Sequence, residues 1–214
     1  YKERMMTDID SIVYSNTMCS KERVKALSES LLSVINTNVP GHLVECGTWR
    51  GGLAALMLHY VNLYKLDKSI YIYDTFEGMP EPGANDCGTS KRMYEENKGD
   101  WCRAGVEVVR SVLQQVDPSF SDVCYLFKGK VEDTLDIVAP LTIALARLDT
   151  DWYDSTKKEL EVLYPRVQPG GYVLIDDYTD WSGCRQAVDE YLANVDKATY
   201  NIKVVDGSLV IQKK

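Results

Sequence analysis

Acidic residues stand where apolar runs stop. Asp149 and Asp151 follow the run Leu141 to Leu148, Asp176 and Asp177 follow Tyr172 to Ile175, and Asp74 follows Ile70 to Tyr73. Four carboxylates delivered to adjacent strand ends repel one another unless some are protonated or a cation sits among them, and a divalent ion resolves the conflict. No His or Cys lies beside these acids, so the donor set is oxygen and the expected ion is hard, Mg2+ before Ca2+ or Mn2+. Such an ion lowers the pKa of a hydroxyl and fixes its oxygen, leaving Asp149 or Asp151 to remove the proton. The plainer reading is solvated loop charge or helix capping, for which Asp154 and Ser155 have the right types.

A second group of residues belongs to a glycine turn. Glu45-Cys46-Gly47-Thr48-Trp49-Arg50-Gly51-Gly52 follows the short apolar run Leu43-Val44 and opens a helical pattern from Leu53 to Leu63. Such a turn offers free backbone N–H groups to an anion. Trp49 occupies the place of the second glycine in a dinucleotide fingerprint, which disfavours NAD. A ligand with a small carboxylate and a ribose fits better, with Asp74 taking two ribose hydroxyls, and those are the demands of S-adenosylmethionine. Its methyl group is already activated, so the protein must supply alignment, deprotonation and dry surroundings.

These residues need a sheet to gather them. A helix is predicted over Lys21 to Asn36 with Ser20 as N-cap, followed by strands at Leu43-Val44 and Ile70 to Tyr73 around the glycine-turn helix. A long polar loop, Thr75 to Lys98, precedes a helix at Arg103 to Gln115 and a strand at Val123 to Phe127. Then come a short helix (Val131 to Ile137), a strand (Leu141 to Leu148), a helix (Ser155 to Tyr164), a strand (Tyr172 to Ile175) and a helix (Arg185 to Asn194). Asp206-Gly207 between Tyr200 to Val205 and Ser208 to Gln212 is a hairpin signal. Alternating β and α elements predict an α/β fold of Rossmann-like type, a seven-stranded, mostly parallel sheet with a C-terminal antiparallel hairpin and helices on both faces.

Composition narrows the function classes. The 214 residues are 45% hydrophobic, which supports a packed globule and excludes a disordered tail. Twenty-four basic against 32 acidic residues give a net charge of −8, and no basic patch is present to hold nucleic acid or an anionic membrane. No apolar run approaches the roughly 20 residues of a membrane span. Six scattered cysteines without a Cys-x-x-Cys pair read as reduced thiols of a cytoplasmic protein. His42 and His59 read as structural. The chain begins at Tyr1, neither with Met nor with a signal peptide, and is compatible with one domain of a larger polypeptide.

The motifs resemble those of the macrocin O-methyltransferase (TylF-like) family of class I, metal-dependent sugar O-methyltransferases. The similar stretches are Pro40 to Gly52, Tyr73 to Pro80, Arg147 to Thr156, Leu163 to Pro165, Pro169 to Gly171, Asp176 to Tyr178 and Trp181 with Gly183 to Val188; weaker similarity begins near Met18-Cys19-Ser20 and includes Lys128 to Thr134. The resemblance implies a methyltransferase domain over 39–214 with residues 1–38 as an N-terminal lid and helix of the same domain. It implies that the glycine turn (Glu45, Gly47, Thr48, Trp49, Arg50, Gly51) holds the methionine part of the cofactor, that Asp74 with Thr75 and Phe76 binds ribose, and that Gly129, Glu132 and Asp133 lie near adenine. Met18 would lie over the cofactor. Asp149, Asp176 and Asp177 would ligate Mg2+, Asp149 would also touch the cofactor, and Asp149 or Asp151 would be the base. Related enzymes often pair, so a homodimer is compatible.

The acceptor implied is a hydroxyl of a deoxyhexose-like unit of a glycan or glycosylated natural product. A catechol-like phenol would chelate the same ion, and a silent module retaining the cofactor fold is the rival outside enzymes. Trp152, Tyr153, Tyr178 and Trp181 either wall the acceptor pocket or serve as core aromatics, and Gln186 either touches the acceptor or is solvated. Lys157, Lys158, Glu159 and Glu161 read as a solvated helix face, and Met5, Met6, Ile9, Ile12 and Val13 as exposed apolar residues for a partner or lid.

Overall fold

Every side chain of the strand Ile143–Leu148 is buried, as expected of a central parallel strand covered on both faces. A computed structural model of the chain describes residues 2–86, 88–97 and 100–214, with side chains from residue 9. Its strands are β1 (His42–Cys46), β2 (Ile70–Asp74), β3 (Cys124–Lys128), β4 (Ile143–Leu148), β5 (Val167–Ile175), β6 (Tyr200–Val205) and β7 (Ser208–Lys213). They form one seven-stranded sheet in the order β3-β2-β1-β4-β5-β7-β6. Strands β1 to β5 are parallel, and β7 runs antiparallel to both β5 and β6. The β6–β7 turn places Asp206 at φ 46 and Gly207 at φ 88, the left-handed pair that matches the twist of a two-residue hairpin.

Eight helices accompany the sheet among the described residues: α1 (Lys2–Ser15), α2 (Lys21–Asn36), α3 (Gly52–Tyr64), α4 (Thr89–Glu96), α5 (Val106–Val116), α6 (Val131–Thr134), α7 (Tyr153–Leu163) and α8 (Ser182–Leu192). Alternation along the strands sorts the core into two layers. Leu43, Ile70, Ile72 and Leu145 pack against α1, α2, α3 and α5, whereas Val44, Tyr73, Ala146 and Leu148 pack against α6, α7 and α8. Helix α3 is buried almost all round, because α1 covers the side that the sheet leaves free.

Helix α1 corrects one expectation: Ile9 and Val13 are buried and Ile12 packs on the core, since this helix docks on α3 instead of presenting an apolar face. The side chains of Met5 and Met6 lie outside the described residues. The loop expected from Thr75 to Lys98 contains α4, whose sequence TSKRMYEE buries only Ser90 and so carries no core-facing apolar stripe; Cys87 and Lys98 lie outside the described residues. Strand β5 begins at Val167 rather than after Gly171, with Gln168 to Gly171 absorbed as an irregularity in the pairing with β4. Glu159, expected on a solvated face, is fully buried beneath the β4–α7 connection, where its Oε1 accepts a 3.0 Å hydrogen bond from the Thr150 hydroxyl.

The tips of β1 and β4 approach so closely that a Cβ on Gly47 would lie 1.9 Å from the Asp149 carbonyl oxygen, and Gly47 itself sits at φ 77. Gly47→Ala is therefore expected to destabilise the fold by on the order of 2–4 kcal/mol. Gly105→Ala, where an added Cβ meets nothing within 4 Å, is expected to cost less than about 1 kcal/mol. Chemical denaturation of the two variants checks the contrast.

Candidate functional site

The strand order reverses between β1 and β4, and ligands of open α/β sheets bind outside the carboxyl ends of the strands at such a point. A cavity of about 270 Å³ lies there. Backbone ladders fix its floor: Gly47 N–H donates to Tyr73, Asp149 N–H to Cys46, Asp176 N–H to Leu148 and Gly129 N–H to Asp74, at 2.8 to 3.0 Å. From the first turn Glu45, Gly47, Thr48 and Trp49 line the cavity, and from the β2 end Asp74 and Thr75. Gly129 and Glu132 line it after β3, Met18 from the α1–α2 connection, and Asp149, Asp151, Asp176 and Asp177 from the β4 and β5 tips.

Four of the expected cofactor residues do not line it. Arg50 turns away and donates to Asn16 Oδ1 at 3.1 Å, Gly51 caps α3, Phe76 is buried in the core, and Asp133 is exposed on α6. Asp74, expected to take ribose hydroxyls, accepts from the N–H groups of Thr48 (2.8 Å), Trp49 (3.1 Å) and Phe76 (2.7 Å), so it also braces the glycine turn. Trp152 is buried, and Tyr153 donates its hydroxyl to Glu190; neither lines the cavity. Gln186 is exposed and pairs with Glu190. The His42 ring accepts the Ser69 N–H at 3.1 Å, away from the site.

Two guanidinium groups, unforeseen in the sequence, organise the acids. Arg147 on β4 is 3% exposed and is the register partner of Glu45 on β1, to which it is bonded at 3.2 Å. The same guanidinium reaches Asp149 at 2.7 Å and Asp176 at 3.2 Å, and donates to the Cys19 sulfur at 2.9 Å. Burial opposes its charge, but the facing Asp149, Asp176 and Glu45 outweigh that and hold it protonated. Arg23 at the start of α2 adds bonds to Asp176 (2.9 Å) and Asp180 (2.6 Å). Burial alone would raise the Asp176 carboxyl; Arg147 and Arg23 pull it below its ordinary value.

Of the remaining acids, Asp177 meets a cation only at 3.8 Å, from Arg23, and Asp151 has no ion pair among the described residues. One oxygen each from Asp149, Asp151 and Asp177 lies within 4.8 Å of the others, and Asp177 Oδ2 is buried with no hydrogen-bond partner. Burial and then the neighbouring Asp149 push the Asp151 carboxyl up to about 7, and burial and Asp151 raise Asp177. Asp151 also sits at φ 69, a left-handed conformation that costs a non-glycine residue on the order of 1–3 kcal/mol and marks a held geometry. An all-oxygen donor set, mutual repulsion and an orphaned buried oxygen fit a hard divalent cation. Asp176, by contrast, groups with Cys19 and Asp149 on the guanidinium side. Burial raises the Cys19 and Cys102 thiols to about 12, so both line the cavity as neutral groups without thiolate reactivity.

The model of the macrocin O-methyltransferase family, TylF, matches residues 2–214. The chain belongs to this family. It is 35% identical over 185 residues to the demethyldecarbamoylnovobiocin O-methyltransferase of Streptomyces niveus, covering 86% of this chain and 70% of that one. It is also 35% identical over 178 residues to an 8-demethyl-8-(2,3-dimethoxy-alpha-L-rhamnosyl)-tetracenomycin-C 4'-O-methyltransferase of Streptomyces olivaceus, covering 83% and 67% of the two chains. The solved structure of the O-methyltransferase NovP superposes with a TM-score of 0.84 at 32% identity, over 93% of this chain and 82% of that one. The chain is thus an S-adenosylmethionine-dependent O-methyltransferase, and the expected class I fold is borne out. No helix among the described residues is long and apolar enough to cross a membrane.

Two outcomes follow from the charge arrangement. Without an ion, the folded protein keeps Asp151 protonated between its ordinary 3.8 and about 7 while the unfolded chain has lost that proton, so stability falls as pH rises through this window. A cation must displace those protons. Magnesium is therefore expected to raise Tm more at about pH 8 than at about pH 6, and equal shifts in a thermal titration would contradict the ion's placement among these acids. Arg147→Met leaves Glu45 and Asp149 uncompensated and Asp176 with Arg23 alone, and is expected to cost about 3–5 kcal/mol near neutral pH. Protonation of the acids should narrow that deficit near pH 5, as urea titrations at the two pH values would show.

Proposed function

We propose that this enzyme transfers the methyl group of S-adenosylmethionine to a hydroxyl of a sugar unit, with a divalent ion, Mg2+ first, held by the acids at the β4 and β5 tips. The observation that carries the reading is the orphaned Asp177 Oδ2 beside Asp149 and Asp151, in the same cavity as the glycine turn and Asp74. The sugar is supported by the tetracenomycin relative, whose name specifies a 4'-oxygen on a rhamnosyl derivative.

In this reading the N–H groups of the glycine turn and the Asp74 carboxylate orient the cofactor at the β1 and β2 tips. The connection from Thr17 to Cys19, which lines the cavity, closes over it as a lid. Asp149 and Asp177 would hold the ion, with Asp176 steadied by Arg147 and Arg23 beside them. The ion, when bound, supplies positive charge that favours the ionised form of the acceptor hydroxyl. Asp151, ionised once the cation is in place, takes the hydroxyl proton as general base. The acceptor oxygen then forms its bond to the methyl carbon as the carbon–sulfur bond breaks, and the cofactor leaves as the neutral thioether.

Methyl transfer to a deoxyhexoside should disappear in EDTA and return with added magnesium; full activity in the chelator would remove the ion from the mechanism. Asp151→Asn is expected to lower kcat by about 10²- to 10⁴-fold. Calorimetric binding of S-adenosylhomocysteine should stay unchanged in this variant. Turnover of a catechol in place of every sugar would overturn the acceptor assignment.

A further inference from the structure

Asp151 stands at the centre of a three-residue turn that few side chains tolerate. The Trp152 N–H donates to the Thr150 carbonyl at 2.8 Å, and the residue between them is at φ 69. A turn closed in this way over a residue at positive φ is the rare and strained form of its class. Strain of that kind persists only where the surroundings over-determine it. A second force acts in the same direction. One oxygen of the Asp151 carboxyl lies within 4.8 Å of oxygens of Asp149 and Asp177, so repulsion between ionised acids and relaxation of the backbone both favour its withdrawal.

The opposing hold comes from helix α7. Its first turn supplies buried Ser155, whose hydroxyl lies 3.2 Å from the Thr150 carbonyl and 3.1 Å from the Trp152 carbonyl and can donate to either. Its second turn supplies Glu159, fully buried, whose Oε1 accepts the Thr150 hydroxyl at 3.0 Å. Leu160 and Leu163 of the same helix are packed in the core, which gives Glu159 a fixed place. A carboxyl buried with one oxygen unpartnered, as Glu159 Oε2 is, is a net cost to the fold. What the residue provides is the anchorage of Thr150, next to the base.

Resting on the reading of Asp151 as the base, we infer that Glu159 is a positioning residue: by holding the Thr150 hydroxyl it keeps Asp151 in its strained turn, with the carboxyl beside Asp149 and Asp177. Because burial keeps the Glu159 carboxyl neutral, an amide can take its place and an alkyl group cannot.

The test measures turnover of a deoxyhexoside at saturating S-adenosylmethionine and magnesium, and follows exchange of the Trp152 amide by NMR. Thr150→Val and Glu159→Leu are expected to lower kcat by about ten- to a hundredfold while S-adenosylhomocysteine binds as before, the size of effect that a displacement of about 1 Å produces. Thr150→Val exchanges one hydroxyl for a methyl group and keeps the inference testable should Glu159→Leu fail to fold. Glu159→Gln, which retains an acceptor for the hydroxyl, is expected to stay within about threefold of the unaltered enzyme. In Asp151→Asn, which has lost the base, adding Thr150→Val is expected to lower kcat by less than about twofold, because both changes act through one group. The Trp152 amide, which closes the turn, is expected to exchange at least about tenfold faster in Thr150→Val. Unchanged kcat or unchanged exchange in Thr150→Val would overturn the inference, as would a loss in Glu159→Gln equal to that in Glu159→Leu. So would a loss as large in the Asp151→Asn background as in the unaltered one, which marks a purely structural role. If no acceptor is methylated, the methyl-transfer reading fails separately, and the amide exchange still decides whether Glu159 holds the turn.

Discussion

A buried guanidinium is the constraint around which the site is arranged. Arg147 and Glu45 face each other in register across β1 and β4, so the cation is built into the sheet and not delivered by a loop. A charge pair at about 4 Å is worth about 4 kcal/mol at an effective dielectric of about 20, whereas burying each ion costs several kcal/mol. Three such pairs roughly offset the desolvation of the four ions involved. The arrangement therefore adds little net stability, and what it provides is geometry. It divides the acids into a group bonded closely by guanidinium, containing Glu45 and Asp176, and a group containing Asp151 and Asp177 that Arg147 does not reach and that Arg23 touches only at Asp177, at 3.8 Å. Asp149 belongs to both.

That division depends on backbone held in uncommon conformations at the strand ends. Trp49 at φ 48, Phe76 at φ 53 and Asp151 at φ 69 all follow strands that run to the cavity. Each has a compensating contact nearby. The Trp49 and Phe76 N–H groups end on Asp74, and the loop carrying Asp151 is pinned by Thr150, whose hydroxyl meets buried Glu159 and whose carbonyl accepts from Ser155. Burial raises the Glu159 carboxyl well above its ordinary value, which keeps this pin neutral under the acidic cavity.

Much of this fold was legible because its strands are short apolar runs ended by acids or glycines, and because α2, α3 and the β6–β7 hairpin carry cap and turn signals at their ends. Helix α4 was not legible, since its eight residues bury one serine and show no periodic apolar face. The acids at the β4 and β5 tips could be read from position alone. Arg147 could not, because a single arginine inside IALARL reads as apolar strand with a solvated end. The available signal was parity: Glu45 and Arg147 each stand two residues beyond a leucine, Leu43 and Leu145, on the same face of neighbouring strands. Arg50, Gly51, Phe76 and Asp133 lie within two residues of cavity-lining positions, yet the first three serve the helices and core behind it and Asp133 is exposed on α6.

The two halves of the cavity consequently differ in how they are made. The β1, β2 and β3 tips that line it are fixed to the sheet by their ladders, while residues 17–19 and the segment between β2 and α5 line it from connections. Strand tips vary little without breaking a core; connections vary freely. Arg23 joins the two, since it lies in the first turn of α2, directly after the 17–19 connection, and bonds Asp176 and Asp180 at the acidic end of the sheet. Arg23 thereby ties the start of α2 to the acidic end of the sheet.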